Sequence, residues 1–146
     1  NILVARVVNA TGTLKHVPKI ADFGLAQQRT GLTTTIAGTR VFMAPEAREG
    51  LCSEKTDVYS FGHVMFRTFC LNSEHHVRVE EKSEADISSV LAKEWMLTNT
   101  RVTEKNCCDV AELIGKSFHP QAHERPSFFA VARELRRLRL SIGKAW

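Results

Sequence analysis

The stretch Gly38-Thr39-Arg40-Val41-Phe42-Met43-Ala44-Pro45-Glu46 decides how the rest of this chain is read. It closes a segment, residues 25–40, crowded with Thr30, Gly31, Thr33, Thr34, Thr35, Gly38 and Thr39. Neither a helical nor a strand period survives there, which predicts a long loop. Pro45 and Glu46 then open a short helical turn.

Upstream of that loop stands Asp22-Phe23-Gly24. It follows Val17-Pro18-Lys19-Ile20-Ala21, which alternates apolar and other residues and predicts a short strand. Ile2-Leu3-Val4-Ala5 predicts an earlier strand, and the polar stretch from Asn9 to His16, with Gly12, predicts the loop or hairpin tip that pairs them. A carboxylate at a strand end is well placed for a hard cation such as Mg²⁺, which prefers oxygen ligands. Phe23 could pack inward and fix that carboxylate, while Gly24 lets the backbone turn sharply. The plainer alternative is a turn-forming aspartate.

Downstream, Val58, Phe61, Val64, Met65, Thr68 and Phe69 follow helical spacing and predict a helix over 56–70. Apolar residues cover nearly all its faces, as in a helix at a domain centre. Asp57, in its first turn, can meet free backbone N–H groups. Residues 71–83 predict a surface loop, in which His75 and His76 fit a solvated stretch better than a metal site. Further helices are expected at about 84–97 and 108–118. The last begins near Ser127 as N-cap and reaches about Leu140. Phe128, Val131, Leu135, Leu138 and Ile142 line one of its sides.

Composition sets outer bounds. With 43% hydrophobic and 25% charged residues, the chain has globular proportions, which argues against disorder and low-complexity stalks. No apolar run approaches the ~20 residues of a membrane span. The net charge of +4 comes wholly from the last segment, where Arg133, Arg136, Arg137, Arg139 and Lys144 face one acid, Glu134. That reads as the solvated face of a helix; contact with nucleic acid or lipid is the sharper alternative. Cys52, Cys70, Cys107 and Cys108 have no C-x-x-C spacing, so reduced thiols in a cytosolic or nuclear setting are expected, and the cytoplasm is the assigned location. Asn9-Ala10-Thr11 fits a glycosylation sequon, which matters only in a secreted chain.

Four blocks occur in one order: Asp22-Phe23-Gly24, Gly38 to Glu46, Asp57-Val58-Tyr59-Ser60-Phe61-Gly62, and Arg125-Pro126-Ser127-Phe128. Together they resemble the C-terminal lobe of a eukaryotic protein kinase, and in detail the tyrosine-kinase-like group of Ser/Thr kinases. The resemblance runs from Asn1 to about Leu140 and is weakest over 71–106. It implies a mainly α-helical α+β fold, a kinase C-lobe fragment with a short β-hairpin before the activation segment. It also implies transfer of the ATP γ-phosphoryl group to Ser or Thr hydroxyls of a protein substrate, with Mg²⁺ and ATP as cofactors. Neither nucleic acid nor a membrane span is implied.

Roles follow from the resemblance residue by residue. Asn1 matches the Asn that ends the catalytic loop and binds a second Mg²⁺. Asp22, with Phe23 and Gly24, matches the Mg²⁺-binding motif beneath the phosphates. Residues 22–46 match the activation segment. Thr39 matches the threonine that meets the catalytic Asp. Glu46 and Arg125 match a buried ion pair, and Asp57 an Asp that braces the catalytic loop. Thr33, Thr34 and Thr35 are phosphosite candidates or plain loop threonines.

The family's Gly-rich loop, strand Lys, helix Glu and catalytic Asp have no counterpart among these residues, as in a partial domain over 1–146 whose N-lobe is absent. The isolated chain is therefore expected to be inactive and to expose apolar surface. A pseudokinase fragment acting as a protein-interaction module is the alternative. The chain also departs from the family pattern. Phe66-Arg67 stands where Trp-Glu is common, reversing a charge. Leu71-Asn72-Ser73-Glu74 lacks the usual Gly and Pro-Phe. His119 precedes Pro120 where Asp is frequent.

Overall fold

A computed structural model of the chain describes residues 1–24, 26, 39–69 and 104–142. The chain divides into two compact units, Asn1–Thr30 and Gly31–Trp146. Each is described by itself. The helix expected at 84–97 and the loop at 71–83 lie outside the described residues, as do Thr33, Thr34 and Thr35.

The first unit is an antiparallel hairpin, β1 (Ile2–Val8) and β2 (Leu14–Ile20). Both strands outrun the sequence expectation, because Arg6 and His16 face each other and extend the ladder through polar positions. The register runs from Ile2 opposite Ile20 to Val8 opposite Leu14. Asn9 closes the tip. Its side-chain oxygen accepts from the backbone N–H of Thr11 (3.1 Å) and Thr13 (2.8 Å), and from the Thr11 hydroxyl (2.8 Å). Gly12 takes φ +76°, a left-handed conformation that costs glycine little. Nearly every strand residue is exposed, Leu3, Val4 and Ile20 by 63%, 62% and 73%. Two strands alone are marginally stable, so this hairpin gains little from burial.

The second unit has three described α-helices: α1 (Glu54–Phe69), α2 (Glu104–Ser117) and α3 (Phe128–Ile142). Expected starts at 56 and 108 move upstream to 54 and 104. Asp57 stands in the first turn of α1, as expected, and that turn is capped by Ser53. Ser53 Oγ accepts from Lys55 N (3.2 Å), and Thr56 Oγ1 accepts from Ser53 N (3.4 Å), a reciprocal capping pair. Ser127 caps α3 as expected, its Oγ accepting from Ala130 N at 3.2 Å.

α2 packs against both α1 and α3. Val58, Met65 and Phe66 from α1 meet the core that Cys107, Val110 and Ile114 supply from α2 and Val131 and Leu138 from α3. Burying one such side chain is worth ~1.5–3 kcal/mol, so these helices stand on their seam rather than on propensity. Adjacent Cys107 and Cys108 fall on different helix faces: the first is buried, the second exposed, and both are free thiols, as is Cys52. Helix α1 is not apolar all round, for Asp57, Arg67 and Thr68 are exposed. On α3, Phe128 is 42% exposed although its ring still meets Phe61 edge-on at 5.7 Å. Arg133, Arg136, Arg137 and Arg139 are exposed, and Arg137 pairs with Glu134 and Asp109. No helix among the described residues is long and apolar enough to cross a membrane.

Gly62 marks where α1 approaches the end of α2. A Cβ there would meet Ser117 Cβ at 3.1 Å and two Phe118 ring atoms at 3.2 Å. That ring is itself held edge-on by Tyr59 (5.2 Å) and His63 (4.7 Å), so it has little room to retreat.

Candidate functional site

The open end of the hairpin carries two of the residues singled out by sequence. Ala21 N donates to Asn1 O at 2.9 Å, continuing the ladder one step past Ile2 and Ile20. Asn1 and Asp22 therefore emerge at the same end of the sheet. Asp22 takes φ +64°, a left-handed conformation that aspartate tolerates better than bulkier residues. Gly24 N approaches its Oδ1 at 3.4 Å, a long contact that leaves acceptor capacity on the carboxylate. Phe23 does not pack inward as expected: it is 67% exposed. The turn at Asp22 and Gly24 sets the carboxylate without help from that ring.

These donors suit Mg²⁺. One carboxylate and one amide oxygen match an ion that takes few protein ligands and fills the rest with water and phosphate. Among the described residues no three His, Cys, Asp or Glu side chains gather into a cage of their own.

In the second unit, Thr39 precedes a 3₁₀ turn, Arg40–Phe42, and Glu46 opens another, Glu46–Glu49. Thr39 is exposed, and its carbonyl accepts from Phe42 N at 2.9 Å. Arg48 Nη2 donates to the carbonyls of Arg40 (3.2 Å) and Met43 (3.3 Å), tying the two turns together. Ser60 Oγ reaches from α1 to the Phe42 carbonyl at 2.9 Å. The Phe42 ring lies edge-on to His63 at 5.4 Å and under the Arg67 guanidinium at 5.2 Å. Sequence reading missed Arg48, Ser60 and Arg67 as supports of this turn, since their partners are backbone carbonyls and a ring that no local pattern announces.

The structure brings Glu46 and Arg125 together across 79 residues. The carboxylate takes Nη1 at 2.6 Å and Nη2 at 2.9 Å, a two-pronged match of planar groups. Three carbonyls take the remaining directions: His119 O from Nε (2.7 Å), Lys55 O from Nη1 (3.0 Å) and Pro120 O from Nη2 (3.2 Å). All five guanidinium N–H groups are thus engaged, which is the condition for burying this side chain completely. Tyr59 adds its ring face at 5.0 Å. Lys55 Nζ returns a bond to the Arg125 carbonyl. His119 serves this junction through its backbone, while its Nδ1 lies 3.2 Å from Gln121 N and caps the turn as an aspartate carboxylate could.

Asp57 has no hydrogen-bond partner among the described residues. Partial desolvation pushes its carboxyl above the ordinary aspartate value, although the residue as a whole is exposed.

The ordered motif blocks, the hairpin ending in Asp22 and the buried Glu46–Arg125 junction define a kinase catalytic-domain architecture. The chain belongs to the protein tyrosine and serine/threonine kinase family, whose model matches residues 1–135. Among its relatives in Arabidopsis thaliana, a probable LRR receptor-like serine/threonine-protein kinase is 33% identical over 126 residues, 77% of this chain and 12% of the relative. A second protein of that description is 33% identical over 152 residues, 91% of this chain and 24% of the relative. A cysteine-rich receptor-like protein kinase is 36% identical over 86 residues, 55% of this chain and 13% of the relative. The chain spans 24% or less of the length of these relatives.

Proposed function

We propose that the protein to which these residues belong transfers the ATP γ-phosphoryl group to Ser or Thr hydroxyls of a protein substrate, in the cytoplasm. The observation that carries this reading is the hairpin register, which sets Asn1 and Asp22 at one end of the sheet. Asn1 and Asp22 would hold Mg²⁺, which when bound would supply charge neutralisation on the phosphates. The backbone of Phe23 and Gly24 shapes the turn that aims the Asp22 carboxylate. Thr39 orients the base that receives the substrate proton. Glu46 and Arg125 fix the far end of the activation segment to the helical core. Phosphate on Thr33, Thr34 or Thr35 adds negative charge that orders the segment through arginine contacts.

The 146 residues contain no counterpart of the Gly-rich loop, the ATP-binding Lys or the catalytic Asp, so the isolated chain is expected to be inactive. The test is phosphoryl transfer from labelled ATP to Ser/Thr peptides by the full-length protein with Mg²⁺. Asp22→Ala should lower kcat by about 100-fold or more, the scale of losing a group that stabilises charge in the transition state. Full activity in that variant would overturn the assignment of Asp22. No transfer by the wild type, with partner binding intact, would instead favour the pseudokinase reading.

A further inference from the structure

Two arginines at the Arg40–Phe42 turn differ from Arg125 and Arg137. Arg125 and Arg137 each hold a carboxylate. Arg40 and Arg67 are exposed, and neither pairs with an acid among the described residues. The Arg67 guanidinium is nevertheless placed, 5.2 Å over the Phe42 ring. The turn beneath is pinned by Arg48 through two carbonyls and by Ser60 through a third. Val41, 59% exposed, and Phe42, 36% exposed, follow Arg40 in this turn and add apolar surface beside it. A guanidinium on an aromatic face keeps its N–H edge free for a carboxylate fork. Because the turn is already ordered, little conformational entropy remains to be lost on binding.

We infer that Arg40 and Arg67 flank a docking surface for an acidic protein segment, and that Arg67 is a specificity-determining residue of the kinase. The inference rests on the kinase reading only for the identity of the segment, a substrate bearing Glu or Asp near its Ser or Thr. Thr39, the residue assigned to orient the base, is the immediate neighbour of Arg40, so a segment held here lies next to that residue. Charge complementarity selects the occupant, and exposed carboxylate pairs of this kind act mainly on partner choice and encounter rate.

The test uses the full-length protein and two fluorescent peptides that share one Ser/Thr core, with flanking Glu residues in one and flanking Lys residues in the other. Anisotropy should show about three- to tenfold tighter binding of the Glu peptide at low salt, the scale of one or two exposed ion pairs, fading as salt screens them. The kcat/KM ratio of the two peptides should follow the same order. Arg67→Glu should erase or invert the preference, and Arg67→Lys should retain part of it. Arg139→Glu, the same charge change on α3, should leave it unaltered. Equal binding of both peptides overturns the inference, as does an equal loss in Arg139→Glu, which would reduce the effect to net charge. An oligonucleotide of matched charge that binds in an Arg67-dependent way more tightly than the Glu peptide also overturns it. If no peptide is phosphorylated while the Arg67-dependent Glu preference persists, the kinase reading fails and the acidic docking surface stands.

Discussion

The Glu46–Arg125 junction and the β1–β2 hairpin handle difficult groups in opposite ways. At the junction a fully buried cation finds a partner for every N–H group within its own unit. In the hairpin, apolar side chains such as Leu3, Val4 and Ile20 stay uncovered although nothing about their chemistry favours water. The lesson concerns self-sufficiency. A hydrogen-bonded charge is closed off by local geometry, whereas apolar surface needs area that two strands lack.

The contrast is broken most severely at Arg125. Arg125→Ala leaves Glu46 unpaired and takes one donor from each of three carbonyls, with an expected loss of ~3–5 kcal/mol in urea unfolding. Arg125→Lys should recover only part of it, since an ammonium cannot span both carboxylate oxygens and the three carbonyls. A loss below about 1 kcal/mol would mean that water replaces the guanidinium. Gly62→Ala is expected to cost less, ~1–2 kcal/mol. The methyl group must displace Phe118 from its seat against His63 and Tyr59, and this outweighs the helix propensity gained, about 1 kcal/mol. Thermal unfolding of the variant checks the sign.

Asp57→Asn should have the opposite and smaller effect. A raised carboxyl pKa means that the folded state holds its proton more tightly than the unfolded state. Its stabilising contribution is complete below the ordinary value of 3.8 and disappears as pH rises through the folded value. At neutral pH the charged form is therefore a penalty. Its removal by Asn should gain about 0.5 kcal/mol or less after solvent screening, and the gain should vanish in acid. A pH titration of the stability difference tests that slope. Smallest in stability, within ~0.5 kcal/mol, is the pair Leu3→Thr and Ile20→Thr, because both sites are already exposed. Its effect should appear as reduced self-association of the 146-residue chain in sedimentation, which would locate the sticky surface on the hairpin.

Much of this arrangement was legible in the sequence. The hairpin, the central helix and the Ser127 cap follow from short-range patterns, and Glu46 and Arg125 from motif blocks far apart in the chain. What escaped has a common physical cause. The Ser53–Thr56 cap lay ahead of the first apolar position of the helical pattern, so the helix starts at Glu54 rather than at the expected 56. The polar cross-strand pair Arg6 and His16 hid the true strand ends from a pattern based on apolar alternation. Phe23 was expected to turn inward, but inwardness depends on a wall that residues near it in sequence do not supply. The support of the Arg40–Phe42 turn by Arg48 was invisible because side chain to carbonyl bonds leave no spacing signature.

The ring of partners around Arg125 also bears on the order of assembly. Its acceptors come from Glu46, from Lys55 and from His119 and Pro120, so it cannot be completed until segments 79 residues apart have already met. Closing so long a loop costs entropy before any bond rewards it, and a bidentate fit tolerates little looseness. The junction thus belongs on the native side of the folding barrier. Arg125 substitutions should mainly quicken unfolding and leave refolding rates nearly unchanged, which makes this ion pair a determinant of how long the fold persists once formed.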